Sequence, residues 1–161
     1  MSDSLSFQAW EPVYEAILAD LGFDRAADEQ ARDVAAEVAQ PFDHGRLADL
    51  DGATVAIVGA APSLSTELAS FEPTSVDAIV AASTAVDVLA DHGLGVDLMV
   101  TDLDKNVDTA RELTHSGTPV AAHAHGDNIP TLREWLPRFA PESALVTTQA
   151  EPRVPVENFG G

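Results

Sequence analysis

The sequence predicts an α/β fold: a three-layer α/β/α sandwich with a mainly parallel, Rossmann-like sheet, preceded by an N-terminal helical segment. Three observations carry that prediction. From residue 54 onward, five short apolar runs alternate with stretches of helical periodicity, the pattern of repeated β-α units. The runs are apolar at consecutive positions, as parallel strands covered on both faces are, and right-handed crossovers wind such strands into one layered sheet. Residues 8–40 hold no such run and repeat their apolar residues at helical spacing.

In chain order, Trp10, Tyr14, Ile17 and Leu18 mark one face of a first helix. Leu21-Gly22-Phe23-Asp24 reads as a stop followed by a new N-cap, so a second helix is expected from Asp24 to about Ala39, ending before Pro41. This section carries no motif that reads as catalytic. Strands are expected at residues 54–59, 77–82, 97–101, 119–123 and 144–148, with helices near 63–70, 83–92, 106–116 and 127–139. The implied organisation is a helical segment over residues 1–45 and an α/β domain over 46–161.

At 161 residues the chain can bury one core of ordinary size. It holds no run of 18 apolar residues, and its start lacks the basic and apolar regions of a secretory signal. It has no cysteine, so neither a disulfide nor a thiolate metal site is expected. These features together read as a cytoplasmic protein without a membrane partner. Lys and Arg total 8 against 27 Asp and Glu, a net charge of -19, and the only lysine is Lys105. The acids are spread along the whole chain, which reads as the solvated surface of a halophilic protein; the alternative is an acidic face for a cation or a basic protein. Free nucleic acid is excluded as an expected partner, because counterion release needs a basic surface.

The chemistry-bearing residues gather where strands end. In open α/β sheets ligands bind beyond the carboxyl ends of the strands. Asp102 and Asp104 of T-D-L-D alternate along a segment read as extended, so their carboxylates share a side and repel unless a proton or cation lies between them. Mg²⁺ suits that place, and a helix cap is the alternative. His123 and His125 of H-A-H-G-D-N share a side in the same way, with Gly126 allowing a sharp turn and Asp127 or Asn128 opening the next helix. They could ligate zinc or iron, hydrogen-bond phosphate, or simply pack at a strand end. Gln149 closes the fifth strand, where an amide can read the edge of a ring. Gly59, Ala60, Ala61 and Ser63 form a small-residue turn after the first strand, read equally as a phosphate turn or as a plain turn with Pro62 at the first helical position.

In the order G-A-A-P-S-L, V-T-D-L-D, H-A-H-G-D-N, T-T-Q-x-E-P and N-F-G-G, these motifs resemble the archaeal MptE-type 6-hydroxymethyl-7,8-dihydropterin pyrophosphokinase family over roughly residues 45 to 161. The wider group also resembles thiamine pyrophosphokinase catalytic domains. The resemblance implies ATP- and Mg²⁺-dependent transfer of a diphosphoryl group to the hydroxymethyl of a reduced pterin, with AMP leaving, in folate or methanopterin synthesis. It implies Asp102, Asp104 and Asp127 as Mg²⁺ carboxylates and catalytic residues. It places residues 59–63 near a phosphate or nucleotide, and Ser83, His123, His125, Asn128 and Gln149 around the cofactor or substrate.

Three departures stand out against the family pattern. Ala61 replaces a glycine, Ser83-Thr84 replaces an Asp-Gly pair, and Lys105-Asn106 follows T-D-L-D where the family has Gly-Asp. The family also continues past N-F-G-G, so the resemblance implies a C-terminally short chain. An open sheet edge left there would invite a homodimer, or aggregation in low salt. The alternatives to an active enzyme are a catalytically impaired relative that keeps the fold and nucleotide binding, and a related nucleotide-dependent transferase.

Overall fold

The computed structural model describes residues 6–159; residues 1–5 and the final two glycines of N-F-G-G lie outside it. The two expected N-terminal helices are present. Helix α1 (Phe7–Leu21) stops at Gly22, whose left-handed φ of 73° lets its N–H close on the Leu18 carbonyl. Helix α2 (Arg25–Val38) starts at Asp24, whose carboxylate accepts the Ala26 N–H. Arg25 then ties the pair together through Glu11 and Glu15 of α1.

The alternating units follow: β1 (Val55–Val58), α3 (Leu64–Leu68), β2 (Ala78–Ala82), α4 (Ala85–Asp91), β3 (Leu98–Thr101), α5 (Val107–Ser116), β4 (Val120–Ala124), α6 (Ile129–Trp135) and β5 (Ala144–Thr148). A short β6 (Glu157–Asn158) pairs parallel to β5. Two polar residues carry no strand pattern, so β6 is not legible in the sequence. Pro62 lies before the N-cap Ser63 of α3 and not at the first helical position. The first residues of two strand runs each bond a neighbour: the Asp77 carboxylate accepts the Thr54 N–H and the Asp97 carboxylate accepts the Ile79 N–H.

The sheet runs β1-β2-β3-β4-β5-β6, with every pairing parallel. Because each crossover steps the same way, right-handed connections put every crossover helix on one face. The main core shows this. Ile79, Ala81, Met99, Val120, Ala122 and Val146 pack with Leu64, Leu89, Ala110 and Leu132 of α3–α6. Helix α2 joins the same layer through Ala31 and Ala35. On the other face, the third layer is a seven-residue 3₁₀ helix, His44–Leu50, which with Phe42 covers Leu98, Ala121 and Leu145. The β1 side of that face is left bare: Ile57 is 86% exposed and Val100 40%. The apolar-on-both-faces pattern predicted the layering, and the second helical cover is smaller than that pattern implies.

Candidate active site

The polar motifs meet at the carboxyl ends of β3, β4 and β5. Strand β3 ends at Thr101, and T-D-L-D leaves it in a tight turn and not in the extended run the alternation predicts. The Thr101 hydroxyl accepts the Leu103 N–H at 3.0 Å and the Asp102 carboxylate accepts the Asp104 N–H at 3.3 Å. Leu103 is left-handed at φ 64°, a costly conformation for leucine, held by a fully buried side chain. The two carboxyls still meet, by this turn and not by strand alternation. Burial opposes ionisation of Asp102, but the hydrogen bonds it accepts from Asp104 and the nearby His125 outweigh it and hold the carboxyl below its usual range. Asp104 is raised, first by its hydrogen bond to Asp102 and then by burial.

Asn128 joins this turn to the next. Its amide nitrogen donates to the Asp102 carbonyl and the His123 carbonyl, each at 2.7 Å, and its oxygen accepts the His125 N–H at 3.1 Å. Buried and fully engaged, Asn128 is a clamp between the two motifs and leaves nothing for a ligand. The Asp127 N–H donates to His125 Nδ1 at 3.4 Å, which puts the ring proton on Nε2, 3.7 Å from the Asp102 carboxylate. His123 stacks on His125 with ring centres 6.4 Å apart, and its Nδ1 lies 3.0 Å from the Thr147 hydroxyl. Burial, and then the neighbouring His125, push the His123 imidazole below its usual pKa, so it is neutral at pH 7.

The two histidines border a cavity of about 280 Å³, with His123, His125, Asp127 and Gln149 on one side and Phe23, Asp24 and Asp28 on the other; Asp102 and Asp104 lie beside it, behind His125. The second wall comes from the start of α2 and the link before it, where the sequence shows no catalytic motif. Asp28 is buried and accepts from the Tyr14 hydroxyl at 2.8 Å, from Gln149 Nε2 at 2.9 Å and from the Gly126 N–H at 2.9 Å. Gly126 is required by that approach: a Cβ there would stand 2.6 Å from the Ala27 Cβ. An acid among alanines on the buried face of an amphipathic helix is too weak a signal to mark this wall in the sequence.

The remaining predicted site residues lie elsewhere. Gly59 and Ala61 border a separate groove of about 540 Å³ along β1 and α3, with Ala60 and Ser63 exposed beside it. Since β1 is three strands from β4, this groove is roughly 14 Å across the sheet from His123 at about 4.8 Å per strand. Ala61 is not left-handed, and a Cβ on Gly59 would meet nothing, so neither position needs a glycine. Ser83 is left-handed at φ 48° and is bound through Asn106, whose amide donates to the Ser83 carbonyl and to Asp87. It therefore neighbours the T-D-L-D turn without bordering the cavity.

Among the described residues, no three His, Asp or Glu side chains are arranged to hold one ion. Asp102 and Asp104 form a two-carboxylate site, and Asp127 stands apart at the cavity rim. An all-oxygen pair fits a hard cation such as Mg²⁺, which takes one or two carboxylates and completes its shell with water and phosphate.

Residues 31–159 match the family described as 6-hydroxymethylpterin diphosphokinase MptE-like. The chain belongs to this family. Among MptE-like relatives, it is 36% identical to the 6-hydroxymethyl-7,8-dihydropterin pyrophosphokinase of Methanothermobacter thermautotrophicus, over 98% of this chain and 68% of that protein. The enzyme of the same name from Pyrococcus furiosus is 32% identical over 98% and 68%. That of Methanocaldococcus jannaschii is 27% identical over 84% and 59%. The family match begins inside α2, while the first two alignments run over nearly the whole chain, α1 and Asp28 included.

Proposed function

We propose that the protein is an ATP- and Mg²⁺-dependent diphosphokinase that transfers a diphosphoryl group to the hydroxymethyl of 6-hydroxymethyl-7,8-dihydropterin, with AMP leaving. One observation carries the reading: in an MptE-like chain, two histidines line one cavity of ring size, and one of them, His125, stands with its Nε2 3.7 Å from the carboxylate of Asp102 in the T-D-L-D turn beside it. The relatives' names supply the pterin and the diphosphoryl group.

The substrate hydroxyl attacks the β-phosphorus of ATP, the bond to the α-phosphate breaks, and the hydroxyl proton passes to a base. Mg²⁺, held by Asp102 and Asp104, supplies neutralisation of charge on the phosphates. The residues do the rest by placement, which dominates phosphoryl transfer. The His125 Nε2–H, oriented by the Asp127 N–H, is a donor for a phosphate oxygen beside Asp102. Asn128 fixes the separation of the metal turn from the histidine turn. Asp127, an exposed carboxylate at the rim on the side of the histidines, takes the hydroxyl proton.

The purified protein with ATP, MgCl₂ and the dihydropterin is expected to yield a product heavier by two phosphoryl groups in the mass spectrum, and none with thiamine in place of the pterin. A product formed only from thiamine would overturn the pterin assignment. A second reading, a relative that binds nucleotide without turnover, is favoured by Ser83, which leaves the end of β2 without a carboxylate. Saturable ATP·Mg²⁺ binding with no product from either acceptor would select it.

A further inference from the structure

We infer that Asp28 is a positioning residue that sets the ring selectivity of the cavity: it turns the Gln149 amide so that the amide oxygen is the group offered to a ligand. This rests on the pterin reading above and deepens it. A carboxylate offers only acceptors, so Gln149 must present Nε2 to Asp28, which it does at 2.9 Å. Its Oε1 is then turned away, and it accepts no hydrogen bond from any described residue. Asp28 cannot follow a ligand, because it is 5% exposed and is held by the Tyr14 hydroxyl and the Gly126 N–H as well. Burial and the bond to Asp28 push the Tyr14 hydroxyl above its usual pKa, so it remains a donor. The backbone of Gln149 is fixed too, since its carbonyl accepts Trp10 Nε1 at 2.8 Å.

The helical pair α1–α2 therefore decides what the end of β5 shows to the cavity. A planar ring entering there meets an acceptor at its edge and the side chains of Phe23 and His123 beside it. That chemistry selects a heterocycle with N–H donors on its edge, as the 2-amino-4-oxo edge of a pterin has, over one whose edge cannot donate.

The test is equilibrium binding of fluorescent 6-hydroxymethylpterin and of its 2-dimethylamino-3-methyl analogue, whose edge has no N–H, to the wild-type chain, Asp28→Asn and Gln149→Leu. The wild type is expected to prefer the pterin by about tenfold or more, as a site built to hydrogen-bond one edge does. In Asp28→Asn the Gln149 amide is free to turn, and the preference is expected to fall to about twofold or less. Gln149→Leu, which leaves Asp28 in place, is expected to do the same; a preference that survives Gln149→Leu would overturn the inference even if Asp28→Asn does not fold. An Asp28→Asn protein that binds both ligands more weakly by the same factor, with the preference intact, would overturn the inference and leave Asp28 a structural tie. A wild type that binds both equally would also overturn it. A wild type that binds neither would overturn the pterin reading itself.

Discussion

His123 shows how position changes a side chain's chemistry. In the folded protein burial and His125 depress its pKa, while in the unfolded chain it returns to about 6.5. The unfolded state therefore binds more protons below that value, so stability is full above about pH 6.5 and is lost as pH falls toward the folded-state pKa. Replacing His123 with Asn is expected to flatten the fall of Tm between pH 7 and 5.5, read by circular dichroism; an unchanged slope would remove His123 as its source. Gly126 makes a steric prediction. Gly126→Ala drives a methyl into Ala27, and urea denaturation is expected to show a loss of about 1–3 kcal/mol. At this scale the sequence was a partial guide. The Asp102–Asp104 pair was legible from its spacing, although a left-handed Leu103 and not strand alternation brings the carboxyls together. Asp28 was not legible, because its partners Tyr14, Gly126 and Gln149 lie 14, 98 and 121 residues away.

Elements join through a few polar clamps. Asn128 carries the junction of the β3 and β4 exits, and Asn128→Ala would strand the His125 N–H and two carbonyls in a buried place. The expected cost is about 1–3 kcal/mol in chemical denaturation. A larger effect is expected on diphosphoryl transfer than on ATP affinity, since the two turns would no longer be held in register. A loss of stability with transfer unchanged would make the clamp purely structural. Helical spacing gave the two N-terminal helices, and the alternation of short apolar runs gave five strands and four crossover helices, with ends close to those observed, because apolar periodicity and caps such as Asp24 are local signals. The 3₁₀ cover over β3–β5 and the two-residue β6 have no such signal: their placement depends on contacts made after the sheet has formed.

For the molecule as a whole, charge and topology set the expectations. With 27 acidic and 8 basic residues, the folded chain repels itself, and the acids lie mostly at exposed positions. Raising KCl from about 0.1 M to molar levels screens that repulsion over a few ångströms, so Tm is expected to rise steadily. A flat Tm would contradict the halophilic reading of the surface. The sequential strand order leaves β1 as an open edge beside the bare Ile57 and Val100. Light scattering is expected to give a mass above the 16.9 kDa monomer in low salt, and Ile57→Lys to restore the monomer. A monomer in both low and high salt would remove the homodimer.

The most direct measurement is AMP release from ATP in high-salt buffer with Mg²⁺, with and without 6-hydroxymethyl-7,8-dihydropterin, for the wild type and for a folded Asp102→Ala protein. AMP that forms only with the pterin and disappears in Asp102→Ala is the predicted result. Pterin-dependent AMP from Asp102→Ala at the wild-type rate would contradict the metal role of the carboxylate pair, and no AMP from the folded wild type would contradict the diphosphokinase assignment.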